Sequence, residues 1–129
     1  MVLDSSALVA IILEEPNYPE LLAKIEAAPG IAIGAPTLLE TLIVLMARLG
    51  RDPIVALERL LYAFEAEVIP FTDDHTRIAL NAYVKYGKGR GKCAGLNFGD
   101  CLCYATAFLA GQPLLFVGDD FSKTDIQKA

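Results

Sequence analysis

Val2-Leu3-Asp4-Ser5-Ser6-Ala7-Leu8 is the stretch on which the reading of this chain turns. Val2 and Leu3 predict a short buried strand, and Ser5 onward predicts a helix, so Asp4 falls at the junction between them. In open α/β sheets, ligands bind outside the carboxyl ends of the strands, at such junctions. A buried strand seldom ends in an unpartnered acid, because the ionised carboxylate would lose its hydration. Asp4 therefore points to a site.

Outward from this junction, strand-like and helix-like segments alternate. Residues 5–15 place Leu8, Ile11 and Ile12 on one helical face, and Pro16 ends the run. A second helix is expected over about 19–28, closed by Pro29-Gly30, and a strand over 31–35. Pro36 opens a long apolar helix that reaches Leu49, with Gly50 as its C-cap. Asp52 and Pro53 supply the N-cap and first position of a helix predicted to run to Glu67, and 68–71 reads as a strand. Thr72 or Asp73 caps the next helix, which carries Ile78, Leu80, Ala82 and Val84. Residues 87–95 hold glycines and basic residues in a pattern that predicts a mobile loop. Phe98-Gly99-Asp100 opens a helix to about Ala110, Gly111 ends it, and 113–117 forms the last strand. Alternation of this kind implies parallel strands joined by right-handed crossovers, with helices on both faces. The expected fold class is α/β, a three-layer α/β/α arrangement around a central parallel sheet, with residues 1–129 as a single domain.

The 129 residues suffice to bury a core, and the 54% hydrophobic content excludes a disordered chain. The longest apolar run, 7–13, is far short of the roughly 20 residues a membrane span needs. No basic segment followed by an apolar stretch and a cleavage site opens the chain, so a cytosolic location without a membrane partner is expected. Cys93, Cys101 and Cys103 lack zinc-site spacing, and His75 is the only histidine. Cys101 and Cys103 fall on a predicted helix and read as buried, reduced thiols. The net charge of −5 disfavours a nucleic-acid ligand at first sight. It is unevenly spread, however: Lys85, Lys88, Arg90 and Lys92 crowd into one glycine-rich stretch.

Other acids stand where Asp4 stands. Glu40 lies about one turn into the helix after the second strand, Asp100 in the first turn of its helix, and Asp119-Asp120 just after the last strand. If the strands are parallel, these residues converge at one sheet edge. Packed carboxylates repel and raise one another's pKa values unless a cation lies among them. An oxygen-only donor set favours Mg²⁺ or Mn²⁺ over zinc. Each acid also has a plainer reading. Asp100 serves equally as a helix cap, Asp119 and Asp120 as turn residues, and Glu40 as an exposed helix residue, although Leu38, Leu39, Leu42 and Ile43 surround it. The shared placement favours a site.

With the acids placed, the chain resembles the PIN-domain ribonuclease toxins of the VapC type, from VapBC toxin–antitoxin pairs. The matching segments are Val2-Leu-Asp-Ser-Ser-Ala-Leu, Pro36-Thr-Leu-Leu-Glu, Leu96-Asn-Phe-Gly-Asp-Cys-Leu-Cys-Tyr-Ala and Leu114-Leu-Phe-Val-Gly-Asp-Asp-Phe-Ser-Lys-Thr-Asp-Ile. The resemblance implies a metal-dependent endoribonuclease in which Asp4, Glu40, Asp100 and Asp119 are catalytic and hold Mg²⁺ or Mn²⁺. Asp120 stands second to Asp119, because Val117 occupies the place of the threonine that often precedes the family's fourth acid. Ser6 matches a small hydroxyl residue near the metal. The resemblance further implies an RNA substrate, a cognate antitoxin protein and a homodimer.

Lys85, Lys88, Arg90 and Lys92 are the candidates for RNA phosphates, or else a solvated loop. His75, at a helix start, is expected in a surface or capping role, and Tyr83 is expected to pack inward. The apolar surplus on 38–49 and 54–64 fits a dimer or antitoxin surface, or equally two well-buried helices. Two rival readings are a non-catalytic RNA- or partner-binding module and a haloacid-dehalogenase-like phosphatase. The phosphatase would need an acid two residues after Asp4, where Ser6 stands. A phosphoacceptor signalling domain would need paired N-terminal acids and a late lysine.

Overall fold

The computed structural model describes residues 1–89 and 95–129. The elements in chain order are β1 (Val2–Leu3), α1 (Ser5–Ile12), α2 (Tyr18–Glu26), β2 (Ala32–Gly34), α3 (Ala35–Leu49), α4 (Ile54–Ala63), β3 (Glu67–Ile69), α5 (Asp73–Tyr86), α6 (Phe98–Ala110) and β4 (Leu114–Leu115). The strands form one parallel sheet in the order β3-β2-β1-β4. Val2 pairs with Ala32 on one side and Leu114 on the other, so the first strand of the chain lies inside the sheet.

Successive strand residues point to opposite faces, and each face has its own core. Val2, Ala32 and Leu114 pack with Ala79, Ala82, Tyr86 and Tyr104 of α5 and α6. Leu3, Ile33 and Leu115 pack with residues of α1, α2 and α4, among them Leu8, Ile11, Leu21 and Leu57. This is the expected three-layer α/β/α arrangement. The β2–α3 junction runs close against α6: a Cβ at Gly34 would lie 2.7 Å from Thr106 Oγ1.

The helix ends depart from expectation twice, for one physical reason. α1 stops at Ile12, short of Glu15, because Glu14 adopts a left-handed backbone with φ 52°. The amide of Glu15 then turns back to the Ala10 carbonyl at 2.9 Å. α4 was expected to reach Glu67 but stops at Ala63: Glu65 takes φ 50°, and the Ala66 amide donates to the Leu61 carbonyl at 2.9 Å. These closures are the turns that glycine usually makes, here carried by glutamates. Glu67 belongs to β3, its amide held by the Ile31 carbonyl at 2.9 Å. β4 is shorter than the expected 113–117 strand, and the amide of Val117 has left the ladder for a side chain.

Other expectations hold. Gly50 and Gly111 close α3 and α6 with positive φ. Asp52 accepts the Ile54 amide at 2.9 Å at the start of α4, where Pro53 is the cap residue rather than the first helical one. His75 is a capping residue, but it is buried rather than on the surface: Thr72 N–H donates to its Nδ1 at 3.2 Å. Among the described residues no helix is long and apolar enough to cross a membrane.

Candidate active site

Asp4 follows β1 directly, and its amide still donates to the Leu115 carbonyl at 2.9 Å. It is the N-cap of α1 and only 5% exposed. Its Oδ2 accepts the Ser6 amide at 3.0 Å and the Ser6 hydroxyl at 2.5 Å. The same hydroxyl oxygen accepts the Val117 amide at 3.0 Å. Ser6 thus ties Asp4 to the segment that leads to Asp119 and Asp120.

Asp100 sits in the first turn of α6, in a capping box with Asn97. Its carboxylate accepts the Asn97 amide at 2.8 Å, while Asn97 Oδ1 accepts the Asp100 amide at 2.9 Å. Asn97 is therefore the cap, and Asp100 is its partner in the box rather than the cap itself. The signal was present in the Asn-x-x-Asp spacing before an apolar run. Burial pushes the Asp100 carboxyl up to about 6, with the charges of Asp4 and Asp120 adding to the rise and the Asn97 amide opposing it.

Glu40 projects from α3. Burial raises its pKa first, then the charges of Asp4 and Asp100, against a lowering hydrogen bond from Ser5. Its carboxylate lies against Gly99 of α6. Asp4, Glu40 and Asp100 thus come from three separate parts of the fold, and the charge of Asp4 acts on both of the others. Asp119 and Asp120 are both exposed, and of the two it is Asp120 whose charge acts on Asp100.

Among the described residues, no three His, Cys, Asp or Glu side chains converge tightly enough to form a ready cation cage. Asp4, Glu40 and Asp100 offer oxygen donors only, the ligand chemistry of hard divalent cations rather than of zinc. Behind the acids, the thiols of Cys101 and Cys103 are buried and free. Burial, with the neighbouring Asp100 and Asp4 charges respectively, raises both pKa values, so neither thiol is a nucleophile. The expectation of inert thiols holds for this pair; Cys93 lies outside the described residues.

The basic stretch divides. Lys85 is committed to Asp125, with Nζ 2.9 Å from Oδ2, and lies over the Tyr86 ring. Lys88 is exposed, and its amide donates to the Leu96 carbonyl at 3.0 Å, one residue before the Asn97 cap. The stretch therefore departs beside the first turn of α6. Arg90 and Lys92 lie outside the described residues. Tyr83 and Phe98 line a cavity of about 440 Å³ between α5 and α6, together with Phe71, Leu80, Cys101 and Leu102.

Residues 1–127 match the PIN domain family. The chain belongs to that family. This PIN domain is 44% identical to Ribonuclease VapC36 of Mycobacterium tuberculosis over 128 residues, which cover 98% of this chain and 91% of the relative. It is 41% identical to Ribonuclease VapC30 of the same species, covering 98% and 95%. In structure it resembles Mycobacterium tuberculosis VapC20, described as a sarcin-ricin loop cleaving toxin, with a TM-score of 0.76, 18% identity and 98% of each chain covered. A toxin–antitoxin complex from Klebsiella pneumoniae superposes with a TM-score of 0.68 at 19% identity, covering 94% of this chain and 89% of the other. Family and fold class are thereby those the sequence motifs implied. The VapC relatives extend along nearly the whole of this PIN domain.

Proposed function

We propose that this chain is a Mg²⁺- or Mn²⁺-dependent endoribonuclease, the toxin of a toxin–antitoxin pair, acting in the cytosol as a single PIN domain. The observation that carries the reading is the placement of Asp4 directly after β1 and of the Glu40 carboxylate against Gly99, next to Asp100 in the first turn of α6, with like charge raising the Glu40 and Asp100 pKa values. Acids held together against their own repulsion indicate a positively charged ligand. The whole-length likeness to proteins named as VapC ribonucleases supports the substrate class.

Asp4, Glu40 and Asp100 would hold the metal, with the fourth acid drawn from Asp119 or Asp120. The field at Asp100 favours Asp120. A bound divalent cation supplies charge neutralisation at the scissile phosphate and a water of lowered pKa. The chain's own residues do the rest. Ser6 fixes the orientation of Asp4 and anchors the loop bearing the fourth acid. Asn97 turns one oxygen of Asp100 toward the helix backbone and leaves the other for the site. Lys88, exposed beside the first turn of α6, would meet the phosphate backbone of RNA, with Arg90 and Lys92 continuing the basic run in sequence.

Protein partners have a surface. Leu39, Ile43 and Met46 of α3 and Val55 and Tyr62 of α4 are exposed, so the apolar surplus on these helices is not spent on the core. A homodimer partner and a cognate antitoxin are the occupants that the family likeness suggests. Incubation of cellular RNA with the purified chain in Mg²⁺, Mn²⁺ or EDTA tests the reading. Discrete fragments that require metal and vanish in Asp100→Asn are expected. Cleavage that survives both EDTA and the substitution overturns it.

A further inference from the structure

Gly99 is the only glycine inside a helix among the described residues. Its backbone is not in the left-handed region, so conformation does not call for glycine there. Within a helix, glycine is less favourable than alanine. What stands in the way of a side chain is Glu40: a Cβ at Gly99 would lie 2.5 Å from Glu40 Oε1 and 2.9 Å from both Cδ and Oε2. Gly34 presents a similar crowding, but against a buried threonine, and there the close approach serves packing.

We propose that Gly99 is a positioning residue whose bare Cα forms the notch that seats the Glu40 carboxylate beside Asp100. The contact atoms are the far end of a flexible side chain, so a methyl group at position 99 displaces the carboxylate while leaving the backbone of α3 and α6 in place. The helix then holds a strained acid in register with its neighbour through an absent side chain. The functional meaning rests on the carboxylate-site reading above, whereas the seating itself does not.

Gly99→Ala, Glu40→Asp and the double variant test it, with thermal unfolding, Mn²⁺ calorimetry and the carboxyl-carbon NMR signal of residue 40 as readouts. Gly99→Ala is expected to unfold at or above the wild-type midpoint, to shift the Glu40 carboxyl signal, and to bind Mn²⁺ roughly 10- to 100-fold more weakly. In the Gly99→Ala background, Glu40→Asp, one methylene shorter, is expected to regain part of that affinity. An unmoved Glu40 signal, affinity within twofold of wild type, loss of affinity together with a lowered midpoint, or no regain in the double variant each overturns the assignment. If the wild type binds neither Mn²⁺ nor Mg²⁺, the nuclease reading falls, and the Glu40 signal alone then decides whether Gly99 seats the carboxylate.

Discussion

Two carboxylates in this molecule, Asp100 and Asp125, live under opposite electrostatics. Asp100 faces other acids and partial burial, and its pKa is pushed up to about 6. Asp125 accepts the Tyr104 hydroxyl at 2.6 Å and Lys85 Nζ at 2.9 Å, and these partners hold it down to about 2. Tyr104 stands on the same helix as Asp100, a little over one turn further along, so the helix serves both purposes. At its start an acid is pressed by like charge, with one backbone amide opposing it; further along, Tyr104 engages Asp125, which with Lys85 clasps its late segment to α5 and α6. Like charge gathered at one place calls for a ligand, whereas opposite charge paired at another holds the fold.

Substitution separates them most sharply. Asp100→Asn is expected to lower metal-dependent cleavage roughly a hundredfold or more while leaving the unfolding midpoint unchanged or higher, because a charge that repels its neighbours has been removed. Asp125→Ala should do the reverse, losing on the order of 1 kcal/mol of stability with cleavage intact. A fall in activity for Asp125→Ala at unchanged stability would abolish the distinction.

The pH response sharpens the contrast, because its two contributions have opposite sign. Asp100 has a folded pKa above its unfolded value, so the native state binds the extra proton. Its contribution is fully present in acid and is lost as pH rises through about 6. Asp125 has a folded pKa below its unfolded value, so its contribution is present above the usual carboxylate range and is lost as pH falls toward about 2. Metal-free protein is therefore expected to be more stable near pH 5 than near pH 7.5, with Asp100→Asn reducing that slope, Glu40 keeping a remainder because its pKa is raised too, and Asp125→Ala leaving it unchanged. Thermal melts across the range check this. The smallest effect is expected from Cys93→Ser, for which cleavage should stay within about twofold; a large loss would place a thiol in the chemistry after all.

Much of this was legible in local sequence. Val2-Leu3 followed by Asp4 gives a strand, a junction and a cap within a few residues, and the Asn97–Asp100 spacing carries its own capping box. The strands alternate one residue to each core, which the apolar content of 31–33 and 114–115 already suggested. What escaped was of two kinds. Glu14 and Glu65 end helices through backbone geometry that glycine would have announced and glutamate does not. The Lys85–Asp125 ion pair joins residues 40 apart, and the seat of Glu40 depends on the missing side chain at Gly99, so both exist only once the helices have packed. Local propensity cannot report contacts of that range, so Lys85 read as a candidate phosphate contact or a solvated loop residue, without its ion pair.

The Ser6–Val117 hydrogen bond spans 111 residues of chain, and Asp4 reaches across to Leu115 in the same way. In synthesis, then, the strand that leads to this acid emerges before the helices that surround it, and the strand that completes its setting only after them. Until residues beyond 117 have left the ribosome, Asp4 has neither its sheet partner nor its tether, and no fragment that stops earlier carries the assembled site. A chain with this layout assembles its acidic cluster only after β4 has been made.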